Sequence, residues 1–219
     1  MDLEQLLKRH NKAKPDPTIS LPAAKDHGFY AGILYPYLLK KQTEYNDYGD
    51  ILNKRRGLKW IVSLTMAAIV SELPIFPDAK EVKRAADTLE AAGLILTEST
   101  GDFLERDHVT GRKRDTATWW HADPKMAPKK AYLDEKQRCI ISASETAKYG
   151  IPQALILAYW RHSPVAITVD ELSYKKLSAA EMENVLPLNE RTIRRHLKEL
   201  TETYRLIQYP GKPKLYGML

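Results

Sequence analysis

A chain of 219 residues, 43% of them hydrophobic, is too long and too apolar for a disordered tail and suits one large domain or two small ones. Its 34 Lys and Arg against 28 Asp and Glu leave a net charge of +6, which suits a polyanionic partner without identifying one. A single cysteine, Cys139, excludes an internal disulfide framework; no Cys/His cluster has zinc-site spacing, and no run approaches the ~20 apolar residues of a membrane span. The amino terminus has no apolar signal core. These features predict a fold held by apolar burial without metal or cofactor, in a reducing, cytoplasmic or nucleoid-associated setting, with no membrane partner.

Leu3, Leu6, Leu7 and His10 fall at helical spacing before the breaker run Lys14-Pro15-Asp16-Pro17, so residues 1–27 read as an amino-terminal arm carrying one short amphipathic helix. From Gly28 to Gln42, the positions of Phe29, Ile33, Leu34, Tyr37 and Leu38 predict a buried helix kinked at Pro36. Trp60 to Leu73 reads as a second helix, with Ser63 capping its main part and Pro74 ending it. A third helix runs from Pro77 to Ala92 with Gly93 as its stop. Ala79, Val82, Ala86 and Leu89 form its packing stripe and leave Lys80, Lys83 and Arg84 on other faces as candidate DNA contacts. Leu94 to Thr97 and Ala117 to His121 are β-favouring runs, with Trp119 and Trp120 alternating across the second. Between them lies a basic hairpin in which Arg106, Arg112, Lys113 and Arg114 are candidate contacts to the DNA backbone or minor groove. Helix, turn, helix and hairpin is the order of a winged helix-turn-helix domain, here spanning 28–122.

Residues 123–149, with Pro124 and Pro128 and little periodicity, read as an inter-domain linker. The same order of elements then returns over 150–219, as a repeat of architecture rather than of sequence. Ile151 to His162 is a helix, and Ile167 to Val169 a short strand. Ser178-Ala179-Ala180-Glu181 is a capping box opening a helix that ends before Pro187. Asn189 caps the next helix, and Leu188 and Ile193 occupy the positions of a hydrophobic staple. Along this helix Ile193, Leu197, Leu200 and Tyr204 repeat at four, three and four, leaving Arg191, Thr192, Arg194, Arg195 and Lys198 outside the stripe. Leu206 to Tyr209, a Pro210-to-Pro213 turn and Lys214 to Tyr216 complete a compact wing with Lys212 and Lys214 as candidate contacts. The expected fold class is mainly α with small β-hairpin wings (α+β), in two tandem winged helix-turn-helix domains.

A helix presenting several Arg and Lys fits the major groove, and the arginine fork can engage guanine O6 and N7 together. The run Asn189-Glu190-Arg191-Thr192-Ile193-Arg194-Arg195-His196-Leu197-Lys198-Glu199-Leu200, continued by Leu206-Ile207, resembles the recognition helices of bacterial and phage winged-helix proteins. Val82 to Leu89 followed by Ala92-Gly93-Leu94-Ile95 is similar to the same superfamily, although Glu81 and Asp87 depart from a purely basic reading face. The resemblance covers about residues 28 to 122 and 150 to 219 and implies double-stranded DNA as the partner.

A catalytic reading starts from Asp102, Glu105, Asp107 and His108, but their neighbours Arg106 and Arg112 make pairing within a hairpin the simpler explanation. No Walker loop, Gly-x-Ser-x-Gly or His-x-x-x-His pair occurs, so no enzymatic activity is expected. Two DNA-binding domains and a linker leave no length for a metabolite sensor. The expected occupation is origin-binding replication initiation for a phage, plasmid or other mobile element, alongside the replication or transcription machinery and a second copy of the chain as candidate partners. The alternatives are a transcriptional regulator or DNA-organising protein, and a winged-helix adaptor that docks proteins.

Overall fold

The computed structural model describes residues 16–48, 61–99, 118–122, 124–203, 205–212 and 214–218. Within them the chain is mixed α+β, with eight α-helices and three small antiparallel sheets. No helix among the described residues is long and apolar enough to cross a membrane. The amphipathic segment Leu3 to His10 lies outside the described residues.

The chain enters through β1 (Thr18–Ser20) and α1 (Leu21–His27), then α2 (Phe29–Tyr48). Ile19, Leu21, Ala23 and Ala24 are buried, so the end of the expected arm is core. Gly32 permits the close approach of α1 to α2: a Cβ there would lie 2.4 Å from Ala24 Cβ and 2.7 Å from its Cα. Pro36 sits inside α2, which continues past it at the loss of one backbone donor. Buried Gln42 joins α2 to the sheet, its Nε2 donating to the Trp120 carbonyl (2.8 Å) and its Oε1 accepting from Ala122 N (3.0 Å).

Next come β2 (Ile61–Leu64), α3 (Met66–Glu72), α4 (Ala79–Ala91), β3 (Leu96–Ser99) and β4 (Thr118–His121), with sheet order β2-β4-β3. Residues 60–73 were expected as one helix, and this is corrected. Ile61 to Leu64 pair with β4, and Thr65 rather than Ser63 caps α3, its Oγ1 accepting from Ala68 N at 3.0 Å. A short apolar run does not distinguish strand from buried helix by period alone, and the β-branched Ile61 and Val62 fit the strand. Asp78 caps α4 by accepting from Lys80 N and Glu81 N, so Pro77 lies outside that helix. Ala79 is exposed, and Ala85 joins Val82, Ala86 and Leu89 in the buried stripe. Gly93, at φ 70°, ends α4 with a Schellman motif: Leu94 N donates to Leu89 O and Gly93 N to Glu90 O, each at 2.9 Å. Trp120 is fully buried, with Nε1 donating to Leu64 O.

Residues 123–149 were expected as a linker, yet those described are built into the fold. Three 3₁₀ turns (Pro124–Met126, Lys130–Tyr132, Glu135–Gln137) lead into β5 (Arg138–Ile140) and α5 (Ala143–Tyr149). Strand β5 pairs antiparallel with β1, Ile19 opposite Cys139, and Ile141 N donates to Pro17 O at 3.0 Å. Tyr132, Cys139 and Ile141 are buried. Single 3₁₀ turns and a three-residue strand carry no periodicity, which is why the segment reads as structureless. Burial raises the Cys139 thiol to about 11, so it stays protonated near neutral pH and acts as a small apolar side chain.

The last part comprises α6 (Ile151–His162), β6 (Val165–Val169), β7 (Leu172–Lys176), α7 (Ala179–Glu183), α8 (Glu190–Glu202), β8 (Leu206–Gln208) and β9 (Leu215–Met218), with sheet order β6-β7-β9-β8. Strand β7 was not expected, because Lys175 and Lys176 interrupt its apolar signal. Lys175 is nonetheless buried, donating to Arg161 O at 2.7 Å and lying 4.6 Å from the Trp160 ring centre. The capping box at Ser178 is also corrected: its hydroxyl makes no capping hydrogen bond, and Glu181 pairs with Lys176 at 2.9 Å.

One succession of elements thus occurs twice. Among the described residues, a helix, a strand, two helices and two strands run as α2, β2, α3, α4, β3, β4 and again, with β6 as an additional strand after α6, as α6, β7, α7, α8, β8, β9. In both, the final strand lies between the other two, as β2-β4-β3 and as β7-β9-β8.

Candidate nucleic-acid interface

Helix α8 starts where Asn189 Oδ1 accepts from Thr192 N at 2.8 Å, and Glu190 N is satisfied by Glu183 Oε1 at 3.1 Å. Ile193, Leu197 and Leu200 are buried, and half-buried Leu188 joins the same core. Tyr204, the last position of the expected stripe, lies outside the described residues. At about 100° per residue, Arg191, Arg194, Arg195 and Lys198 share an arc of about 100° on the side away from that stripe. The side chains of Arg194, Arg195 and Lys198 are 71%, 65% and 78% exposed, and Arg191 is exposed without an ion-pair partner among the described residues. Thr192 is half-buried and lies off this arc.

Each remaining cation of the arc has a carboxylate one turn away. Arg194 pairs with Glu190, Arg195 Nε lies 3.8 Å from Glu199, and Lys198 Nζ lies 3.7 Å from Glu202. Exposed pairs of this spacing contribute about 0.3–0.5 kcal/mol each, so a polyanion can displace them at little cost. Glu199 is the best anchored of the acids: His196 Nδ1 at 2.6 Å and Gln153 Nε2 at 2.7 Å both reach its Oε2 and hold its carboxyl below the usual range.

Beside α8 lies the β8–β9 hairpin. Lys214 O accepts from Leu177 N at 2.8 Å, which fixes the hairpin against the start of α7, and Lys212 Nζ stands 5.9 Å from the Tyr209 ring centre. Between hairpin, α7 and α8 is a groove of about 430 Å³ whose lining includes Ser178, Arg194, Lys198, Thr201, Lys214 and Tyr216. Elsewhere in this part of the chain, buried Glu145 accepts hydrogen bonds from Arg161 and Arg205, joining α5, α6 and the approach to β8. Burial raises the Glu145 pKa, but the two arginine hydrogen bonds outweigh it and leave the carboxyl below its ordinary value.

Helix α4 is different. Lys83 pairs with Asp87 at 2.8 Å and Arg84 with Glu81, leaving Lys80 exposed at the helix start. Arg106, Arg112, Lys113 and Arg114 lie outside the described residues, as do Asp102, Glu105, Asp107 and His108. Among the described residues no group of three His, Cys, Asp or Glu side chains could hold a metal ion. Of the candidate contacts, the structure brings together Arg194 and Lys198 of α8 with Lys214 of the hairpin.

The sequence reading missed Ser178, Tyr216 and the acidic partners of the basic arc. The i,i+4 spacing of Glu190 to Arg194, Arg195 to Glu199 and Lys198 to Glu202 was the available signal for the partners. Ser178 and Tyr216 reach the groove only through the packing of α7 and β9. Comparison with protein-family models, curated proteins and solved structures finds no match to this chain.

Proposed function

We propose that this protein binds double-stranded DNA through two tandem winged helix-turn-helix domains, 28–122 and 150–219, with α8 as the helix that enters the major groove. The observation that carries the proposal is the arc of Arg191, Arg194, Arg195 and Lys198 on a capped helix, with the Lys212 and Lys214 hairpin beside it. The repeated element order supports it, because a strand after the first helix that pairs with the last strand of a terminal hairpin is the winged-helix arrangement. A major groove about 12 Å wide accepts one α-helix, and exposed guanidinium groups on its outer face reach base edges and phosphates.

The proposed occupation is initiation of replication at the origin of a phage, plasmid or other mobile element. Two DNA-gripping domains on one chain suit repeated sites, since binding by one raises the effective concentration of the other. Fluorescence anisotropy of the full chain with random-sequence duplex, between about 50 mM and 200 mM salt, tests DNA binding through counterion release. The wild type is expected to lose affinity steeply and linearly in log salt, and the Arg191→Ala, Arg194→Ala, Arg195→Ala, Lys198→Ala quadruple variant to bind more weakly with a shallower slope. Absence of duplex binding would instead favour a protein-docking adaptor. Mapping of occupied genomic sites then tests the occupation: repeats at an origin support initiation, and scattered promoters contradict it.

A further inference from the structure

We propose that the groove between α7, α8 and β9 seats a backbone phosphate of the duplex, contacted by Arg194, Lys198 and Lys214, while Arg191 and Arg195 discriminate bases. This assignment rests on the DNA-binding reading above and divides labour within its basic surface. Three cations from two separate elements border one concave volume of about 430 Å³, together with Ser178 and Tyr216. Ser178 stands at the cap position of α7 without making a capping hydrogen bond, and its O–H is a donor of the kind a phosphate oxygen accepts. Thr201 donates its hydroxyl to Leu197 O at 2.7 Å and so supplies no proton to the groove. Glu202 also lines the groove, leaving three cations against one carboxylate.

Shape decides what such a recess can bind. Base edges lie at the bottom of a major groove about 8.5 Å deep, where only side chains protruding from a convex surface reach them, whereas phosphates stand out along its rim. A recess beside the helix therefore fits the rim. Arg191 and Arg195 lie one turn apart on α8 and do not line the recess. Arg191 is in the first turn, the end of a reading helix whose residues contact base edges. Arg195 Nη2 sits 3.2 Å from His196 Nε2 and its Nε 3.8 Å from Glu199, exposed contacts weak enough for a base edge to displace.

The test begins by selecting the preferred site of the wild-type chain from a random duplex library, then measures affinity for that duplex and for a scrambled one across salt. Arg194→Gln with Lys214→Gln is expected to weaken both duplexes by the same factor and to lower the salt slope by about 1, the share of the single phosphate that the groove seats. Arg191→Gln with Arg195→Gln is expected to cut the ratio of specific to scrambled affinity by about 10-fold or more, as removal of a bidentate arginine–guanine pair does. Circular dichroism checks that each exposed-site variant keeps its helix content. As a measurement needing no folded variant, a neutral methylphosphonate placed singly around the selected site should weaken the wild type at one rim position. An unchanged ratio for the Arg191/Arg195 variant, a collapsed ratio for Arg194/Lys214, or equal tolerance of methylphosphonate everywhere overturns the assignment. Wild-type protein that selects no duplex and shows no salt slope contradicts the DNA-binding reading itself, a different failure from an exchange of roles within it.

Discussion

Asn189 does more for α8 than any residue of its basic face, because its side chain satisfies an amide that the helix cannot. Replacing it with Ala is predicted to cost about 1 kcal/mol in urea denaturation, while Gly at the same position costs only a few tenths. Glu145 gives a second residue-scale prediction. A carboxyl held below its ordinary value of 4.5 contributes stability that is present above that value and lost as pH falls through the lowered one. Glu145→Gln should therefore cost about 1–3 kcal/mol near neutral pH, with the gap to wild type closing as the pH is taken below 4.5. A gap that is constant with pH would contradict the role given to the two arginine hydrogen bonds. Asn189 was legible as a cap from residue type and spacing alone. Glu145 was not, since its partners are sixteen and sixty residues away.

At the scale of elements, two glycines separate conformational from steric requirement. Gly93 ends α4 at positive φ with nothing within 4 Å of an added Cβ, so Gly93→Ala is predicted to cost about 1–2 kcal/mol and Gly93→Asn less. Gly32 has an ordinary φ but no room, because α1 backbone lies against it, so Gly32→Ala and Gly32→Asn should be progressively worse. Denaturation midpoints of the four variants test both. Long amphipathic elements were the legible ones: α6 and α8 follow from apolar spacing and end signals, and Gly93 from its place after the Ala79-to-Leu89 run. Elements whose reason lies across the sheet were not. Strand β2 exists because β4 pairs with it, and β7 carries a lysine that only the Trp160 ring and the Arg161 carbonyl make tolerable in the interior.

The whole molecule is joined by what reads as its least structured sequence. Strand β1 pairs with β5, Asp16 Oδ1 accepts from Ala143 N at 3.1 Å, and Lys25 Nζ donates to Glu183 O and Asn184 O at 2.9 and 2.7 Å, just before α8. The amino-terminal strand and helix therefore hold the end of α7, and the presentation of α8 depends on residues far from it in sequence. Ile19→Ala, at a fully buried position in β1, is predicted to cost about 2–5 kcal/mol with unfolding still in one transition. Two separated transitions in the wild type would mean that the halves fold independently. For the molecule as a whole, duplex binding measured against salt is the deciding observation. The wild-type chain should bind double-stranded DNA with log affinity falling linearly in log salt, by about 0.9 for each phosphate contacted, and the Arg191, Arg194, Arg195 and Lys198 quadruple alanine variant should flatten that line. Absent or salt-independent binding, or a variant line as steep as that of the wild type, would contradict α8 as the DNA-reading helix.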